Sequence, residues 1–255
     1  MQCDPADYRS EIKPVWCPGC GNYAVLNAVL KSLAKKGIDP YELVFVGGIG
    51  CASRFPGYIK CNRLHTIHGR ALPAAMGVKL ANPKLKVFAV GGDGDIVTIG
   101  GNHFIHAAKR NIEIVCIVMD NSIFGMTKGQ PSSTSPYGMV TKASPYGVAE
   151  RPFDPAALAL VCGASFVARG FSGRPKELEE AVEKAMDHKG FAFVHVLSPC
   201  VTFYNTYEFY RSRVTKIEGH DITDRSAAVR LAMDSKRIPL GVYFDVKMET
   251  FDERV

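Results

Sequence analysis

Short apolar runs rich in β-branched residues alternate with helix-like segments along most of this chain. The apolar runs cover residues 43–48, 86–92, 112–121, 165–170 and 191–197. They lack a polar face, which is typical of strands that are buried on both sides of a sheet. Apolar residues with helical spacing fill residues 21–37, 70–83, 100–111, 154–164 and 174–190. This alternation predicts an α/β fold built on a doubly wound, mostly parallel sheet.

The regular alternation is interrupted twice. Residues 121–153 are rich in Gly, Pro, Ser and Thr, and a loop of that length inside a compact domain is usually functional. After Pro199 the alternation stops, and residues 200–255 are predicted to form an irregular C-terminal extension with one helix near 223–235. We therefore divide the chain into an α/β domain, residues 1–199, and an extension, residues 200–255.

Composition narrows the class of protein. The 255 residues are 47% hydrophobic and 22% charged, as expected for a globular chain long enough to bury a full core. The net charge of +6 is not concentrated in one basic run, so we do not expect nucleic acid as a partner. No apolar run approaches the roughly 20 residues that span a bilayer. The polar start lacks the apolar segment of a signal peptide, so we expect a cytoplasmic protein that does not bind membranes.

Two of the predicted strands end in glycine-rich turns, VGGIGCAS (46–53) and VGGDGDIVTIGG (90–101). Neither turn fits the dinucleotide or P-loop patterns. Asp93 lies in the second turn, and Asn121 follows the next strand, one strand–helix–strand unit later. Because ligands of open parallel sheets bind beyond the carboxyl ends of the strands, we expect these two side chains to meet there. Their oxygens suit Mg²⁺; the alternative is an exposed aspartate in a glycine turn.

Eight cysteines without a secretory signal favour metal ligands and buried thiols over disulfides. Cys17 and Cys20 form a C-x-x-C pair, which alone fits a zinc site, a redox dithiol or an iron–sulfur site. Cys51 and Cys200 each follow a predicted strand, so both should reach the sheet edge that carries Asp93. One pair with two distant single cysteines favours an iron–sulfur cluster, because structural zinc sites usually have two local pairs. We expect no ligand role for the other four: Cys3, Cys61, Cys116 and Cys162.

Separated motifs in this chain resemble, in order, those of the β subunit of 2-oxoacid:ferredoxin oxidoreductases. GGDGD followed by MDN resembles the thiamine diphosphate motif, a Gly-Asp-Gly with a later Asn. The other motifs are WCPGCGN, GGIGCAS, HTIHGRALPAAMGVKLANP, GMTKGQ and SPCVTFYNTYEFYRSRV. The resemblance extends from about residue 10 to about residue 215, and it implies the thiamine diphosphate-binding fold.

The resemblance also implies a set of site residues. Mg²⁺ would be held by Asp93, Asn121 and the carbonyl of Ile123. One [4Fe–4S] cluster would be held by Cys17, Cys20, Cys51 and Cys200. Thiamine diphosphate would contact Ile49, Gly50, Cys51, Ala52, His68, Gly94, Asp95, Gly125 and Met126. His68 is expected at a loop-to-helix junction, where an imidazole can donate to phosphate beside a helix N-terminus; a helix-capping histidine is the alternative.

The implied reaction is the CoA-dependent oxidative decarboxylation of a 2-oxo acid, with electrons passed to ferredoxin. Thiamine enzymes also need a glutamate against the aminopyrimidine ring of the cofactor. Nothing here resembles the segment that carries it, and in the family that segment belongs to the α subunit. We therefore expect an obligate α subunit, a dimer of αβ heterodimers, and ferredoxin as a separate partner. The alternatives are a non-oxidative thiamine decarboxylase and, among non-enzymes, a zinc-stabilised binding subunit.

Lys128, in GMTKGQ, bears on the choice of substrate. In the relatives that this segment resembles, the pyruvate-specific type has an Asn-Thr-Gly-like sequence, whereas the 2-oxoglutarate or broad-range type has Thr-Lys-Gly-Gln. A lysine suits the second carboxylate of a five-carbon acid, and pyruvate gains nothing from it. We expect 2-oxoglutarate, with a broad-range or pyruvate-using enzyme as the alternative. A Lys128 that faces phosphate or solvent would carry no such information.

Overall fold

The computed structural model describes residues 3–234 and 236–254. In chain order its strands are β1 (Leu43–Gly47), β2 (Asn62–His65), β3 (Lys86–Gly92), β4 (Ile114–Asp120), β5 (Ile123–Phe124), β6 (Gln130–Pro131), β7 (Phe166–Phe171), β8 (Phe191–Leu197), β9 (Val214–Lys216) and β10 (Ile238–Asp245). β5 and β6 form a separate hairpin, and the other strands make one sheet in the order β2-β1-β3-β4-β8-β7-β10-β9. All neighbours in that sheet are parallel except β7 and β10.

Helices cover both faces of this sheet. They are α1 (Asn22–Lys36), α2 (Ala71–Ala81), α3 (Gly101–Arg110), α4 (Pro155–Val161), α5 (Pro175–Asp187), α6 (Tyr207–Arg211) and α7 (Arg225–Ala232). One core packs α1 and α5 against the sheet, and a second core packs α2, α3, α4 and α7 against its other face. The prediction of a doubly wound, mostly parallel α/β fold is confirmed.

Local sequence explains where the central elements begin and end. Every residue of β1, β4, β7 and β8 is buried, as the uninterrupted apolar runs predict. Asp154 begins α4 by accepting a hydrogen bond from the Ala157 N–H, with Pro155 in the first turn. Gly37 ends α1 in the left-handed conformation, with φ of 61°.

The C-terminal extension is more regular than its pattern indicated. It contains the expected helix, α7, and it also adds β9 and β10 to the main sheet. Tyr243 and Phe244 of β10 are buried in the core shared with α7. Strands from both sides of residue 200 therefore share one sheet, and the division at that residue stays a prediction.

Four neighbouring parallel strands, β1, β3, β4 and β8, carry the candidate residues at their carboxyl ends. Their adjacency in the sheet places these ends side by side along one edge. β2, which extends the sheet beyond β1, was not predicted, because it is short and exposed at every position. Among the described helices, none combines the length and the apolar character that crossing a bilayer would require.

Candidate active site

Asp93 lies directly after β3, at the start of a π-helical turn, Gly94–Ile99. Such turns are rare and often occur at functional sites. The Asp93 side chain is only 1% exposed, and its Oδ1 accepts a hydrogen bond from the Asn121 N–H at 3.3 Å. Asp93 thus contacts the Asn121 backbone, and both residues line one pocket at adjacent strand ends, so the exposed-aspartate alternative does not fit.

A second buried carboxylate, Asp120, lies beside Asp93. The hydroxyl of Thr134 is 2.9 Å from Oδ2 of Asp93 and 2.9 Å from Oδ1 of Asp120. Its single proton can serve only one of these two oxygens. Burial, and secondarily the charge of Asp120, raises the pKa of Asp93 well above its ordinary value. Two buried carboxylates this close together form a site that a cation would stabilise.

Asp120 is held in turn by a chain of polar side chains that crosses the sheet. Its Oδ2 lies 2.8 Å from Nε2 of His195, whose Nδ1 accepts from Nε of Arg169 at 3.1 Å. Because Nδ1 is an acceptor, Nε2 carries the proton and donates to Asp120. The buried Arg169 also forms an ion pair with the partly exposed Asp154. Sequence reasoning missed Asp120 and Thr134; the one available signal was that Asp120 immediately precedes Asn121.

The turn after β4 is strained and firmly held. Ser122 has a φ of 60°, which is uncommon for a residue other than glycine and is typical of functional turns. Asp120 accepts from the Ser122 N–H at 2.9 Å, and the Asn121 side-chain oxygen accepts from the Ile123 N–H at 3.1 Å. Across the β5–β6 hairpin, Ile123 pairs with Pro131, which has no N–H to offer the Ile123 carbonyl.

Asp95 organises the other side of the site. Its Oδ1 accepts from the Gly69 N–H and from Nδ1 of His68, both at 2.7 Å, and its Oδ2 accepts from the Ser53 hydroxyl at 2.6 Å. These bonds orient the imidazole so that Nε2 is the nitrogen left for a ligand. The helix-capping alternative for His68 does not hold, because α2 begins at Ala71 without a side-chain cap.

All the residues that the resemblance assigned to thiamine diphosphate or Mg²⁺ line one pocket. They are Ile49, Gly50, Cys51, Ala52, His68, Asp93, Gly94, Asp95, Asn121, Ile123, Gly125 and Met126. Gly94 has a packing role there as well, since a Cβ on it would lie 2.7 Å from the Phe124 ring. The pocket is thus assembled as expected, and the role of each residue toward a cofactor stays a prediction.

Lys128 lies outside this pocket lining, with an exposed side chain. Its backbone has a φ of 79°, and its N–H donates to the Gly125 carbonyl at 3.2 Å. The strained turn therefore places Thr127 in the pocket wall and Lys128 at the surface beside it. In this structure Lys128 thus has the position of the alternative in which it faces solvent, and its role in substrate choice stays a prediction.

The four expected cluster cysteines converge at the same edge of the sheet. Trp16 donates from Nε1 to the Cys51 carbonyl at 2.7 Å, which fixes the C-x-x-C loop against the turn after β1. The pKa of the Cys20 thiol is raised to about 11, mainly by burial and also by the neighbouring thiols of Cys200, Cys51 and Cys17. A Cβ on Gly125 would lie 4.0 Å from Sγ of Cys51, so the cysteine site adjoins the pocket.

A preformed site for a single metal ion is absent from the described residues. Within residues 3–234 and 236–254, no three His, Cys, Asp or Glu side chains are arranged to hold one metal ion. The choice between a zinc site and an iron–sulfur cluster at Cys17, Cys20, Cys51 and Cys200 stays a prediction. Of the other cysteines, Cys116 is fully buried in β4, and Cys3, Cys61 and Cys162 are half-buried.

A glycine substitution tests the packing around Asp95. A Cβ on Gly48 would lie 2.2 Å from Oδ2 of Asp95, so Gly48→Ala should destabilise the protein by about 1–3 kcal/mol through overpacking. In α2, a Cβ on Gly77 would meet no atom within 4 Å, so Gly77→Ala should instead stabilise it by about 1 kcal/mol. Chemical denaturation of the two variants measures both effects, and equal stabilities would contradict the packing assigned to Gly48.

Two family models match this chain. The model of the thiamine pyrophosphate enzyme C-terminal TPP-binding domain matches residues 48–196, and the model of the C-terminal part of the pyruvate ferredoxin oxidoreductase β chain matches residues 200–255. The β subunit of 2-oxoacid:ferredoxin oxidoreductase 2 from Aeropyrum pernix is 39% identical, over 98% of this chain and 86% of the relative. The 2-oxoglutarate synthase subunit KorB of Archaeoglobus fulgidus is 48% identical, over 79% of this chain and 76% of the relative.

A solved structure is similar along the whole chain. It is the 2-oxoglutarate:ferredoxin oxidoreductase from Magnetococcus marinus, which has 2-oxoglutarate, coenzyme A and succinyl-CoA bound. The TM-score is 0.98 and the sequence identity is 41%, and the match covers 100% of this chain and 89% of that chain.

Proposed function

The chain belongs to the family of 2-oxoacid:ferredoxin oxidoreductase β subunits, and from this premise we propose that its substrate is 2-oxoglutarate. With an α subunit it would convert 2-oxoglutarate and CoA to succinyl-CoA and CO₂ and pass two electrons to ferredoxin. The observation that carries this proposal is the meeting, at one sheet edge, of the Asp93 pocket and the four cysteines. The bound 2-oxoglutarate and succinyl-CoA of the Magnetococcus enzyme support the choice of substrate.

The pocket fits thiamine diphosphate with Mg²⁺. Asp93, Asn121 and the Ile123 carbonyl would hold the cation, since hard oxygens are its usual ligands. The crowding of Asp93 and Asp120 around one hydroxyl supports this, because a cation at Asp93 offsets their mutual repulsion. His68, oriented by Asp95, would present Nε2 to the diphosphate. When bound, the cofactor supplies the means to cleave the bond between the carboxylate and the keto carbon.

The cysteines fit one [4Fe–4S] cluster better than zinc. Four thiols that influence one another, one pair with two distant singles, suit a cluster of several irons with one thiolate on each. Because Cys51 lies both in this group and in the pocket wall, electrons would have a short path from the reaction to the cluster. Such a path favours oxidation over the non-oxidative decarboxylase alternative.

The pocket also indicates what another chain must add. Among the described residues that line it, the carboxylates are Asp93 and Asp95, and both are already engaged in hydrogen bonds. The glutamate that thiamine enzymes place against the aminopyrimidine ring would therefore come from the α subunit. A dimer of αβ heterodimers is the assembly that we propose.

An anaerobic assay of the purified αβ complex tests this function. Succinyl-CoA should form from 2-oxoglutarate with CoA and a low-potential acceptor, at a higher kcat/KM than the acyl-CoA product of pyruvate. A higher kcat/KM for pyruvate would favour the pyruvate-using alternative. Equal values over a panel of 2-oxo acids would favour a broad-range enzyme.

Lys128→Ala tests the residue that we assign to substrate choice. Loss of a charged hydrogen bond should lower kcat/KM for 2-oxoglutarate by a factor that corresponds to about 1.5–3 kcal/mol of transition-state stabilisation. The kcat/KM for pyruvate should change little. Lys142→Ala removes another exposed lysine of the same loop and should leave kcat/KM unchanged for both substrates. If Lys128→Ala lowers kcat/KM for both substrates by the same factor, Lys128 serves the cofactor or the fold instead.

A further inference from the structure

Helix α6 lies directly over the C-x-x-C loop. The hydroxyl of Tyr207, at the start of α6, donates to the carbonyl of Gly19, between the two cysteines of the pair, at 3.3 Å. Cys17 is exposed, whereas Cys20, Cys51 and Cys200 are half-buried. The cysteine site therefore comes closest to solvent at Cys17, beside α6.

Three exposed arginines lie on α6, just after it and directly before β10. Arg211 ends α6, Arg213 follows it, and Arg237 precedes β10. The Arg213 carbonyl accepts from the Ile238 N–H at 3.0 Å, which brings the second and third arginines onto neighbouring chain segments. Because β10 runs antiparallel to β7, its start lies at the same sheet edge as the cysteines. We call Arg211, Arg213 and Arg237 the arginine rim.

The rim is only partly neutralised by the rest of the chain. Arg211 pairs with Glu208, an exposed ion pair of little energetic weight. In the part of the chain that the structure describes, Arg213 and Arg237 form no ion pair. Asp234 lies beside Arg237 and accepts from its N–H at 3.3 Å, while the exposed Lys236 adds a further positive charge. The rim therefore presents net positive charge to solvent.

Aromatic side chains hold the rim and add apolar surface to it. The Arg213 guanidinium lies 4.1 Å from the centre of the Phe209 ring, and that of Arg211 lies 5.6 Å from the centre of the Tyr207 ring. Phe209 is 48% exposed and Phe203 is 45% exposed. Arginine and aromatic residues are enriched at protein–protein interfaces. They are also frequent among the few interface residues that contribute most of the binding energy.

We propose that the arginine rim and its aromatic residues dock an acidic protein that carries one electron at a time. This inference rests on the proposed function, because it assigns the electron acceptor of that reaction to a surface. Charge complementarity accelerates the encounter, and a small apolar contact lets the partner leave again. Each docked carrier, an oxidised iron–sulfur protein, takes one electron and departs reduced, so two carriers serve each 2-oxo acid oxidised.

Charge reversal in the αβ complex tests this docking surface. Arg213→Glu should raise KM for an acidic ferredoxin about tenfold or more at low ionic strength, the scale of electrostatic steering. Salt should weaken the wild-type reaction more than that of the variant. With a small viologen dye as acceptor, the same variant should retain wild-type kcat, because the dye needs no protein-sized docking surface. Iron content should also be unchanged.

Two further variants keep the result interpretable. Arg237→Glu reverses a rim charge on another segment and should reproduce the rise in KM even if Arg213→Glu does not fold. Arg110→Glu makes the same change at the end of α3, at the opposite sheet edge, and should have no effect. Unchanged KM in both rim variants, or an equal rise in Arg110→Glu, would overturn the docking site. A wild-type complex that reduces neither dye nor ferredoxin would instead overturn the proposed function.

Discussion

The αβ complex with Cys20→Ser is expected to lose most of its iron and sulfide. A hydroxyl is a far poorer ligand for iron than a thiolate, and a cluster with three cysteines left is prone to disassembly. Oxidation of 2-oxoglutarate should fall to background with ferredoxin and with a dye alike. The brown colour of the anaerobically purified protein should fade with it. Iron and sulfide analysis of the complex measures this directly.

Cys61→Ser is the matched control for that experiment. Both thiols are half-buried against the same core, and burial raises the pKa of each to about 11. They differ in their neighbours, since only Cys20 has the other three expected ligands beside it. Full iron retained in Cys20→Ser, or equal loss in Cys61→Ser, would refute the ligand assignment. A colourless wild-type protein with stoichiometric zinc would establish the zinc-stabilised alternative.

Asp93→Ala should reduce the affinity for thiamine diphosphate in Mg²⁺ buffer by more than about 100-fold. The substitution removes the charged ligand, and even residues that only support a metal ligand typically contribute 10–100-fold. Thr134→Val removes the supporting hydroxyl and should lower the affinity for thiamine diphosphate by about 10–100-fold. Calorimetric titration of the αβ complex measures both affinities, and iron content should stay at the wild-type level.

Asp187→Ala serves as the control for the loss of a carboxylate. Asp187 pairs with Lys36 on the surface, away from the pocket, so its removal should leave the cofactor affinity unchanged. Wild-type affinity in Asp93→Ala would mean that the cation is held elsewhere. A larger loss in Thr134→Val than in Asp93→Ala would mean that the hydroxyl, and not the carboxylate, governs the site.

Local sequence and the geometry of parallel sheets together determined the central strands and the position of the candidate site. Uninterrupted apolar runs predicted the five central strands, because a strand covered on both faces tolerates no polar side. Parallel strands direct their carboxyl ends to one edge, so the meeting of Asp93 with Asn121, and of Cys51 with Cys200, followed from position alone. The motifs around these residues also indicated the family, which the comparisons confirm.

Tertiary structure alone decided the contacts between side chains that are distant in sequence. Thr134 lies in a long loop with no periodic pattern, and only packing brings its hydroxyl between Asp93 and Asp120. The role of Asp95 in holding His68 depends on three separate turns meeting at one buried carboxylate. β10 joins the sheet beside β7 in a segment that the sequence pattern assigned to an irregular extension, and burial of Tyr243 and Phe244 in the core shared with α7 stabilises it there. Such pairings depend on three-dimensional proximity, which residue spacing along the chain does not encode.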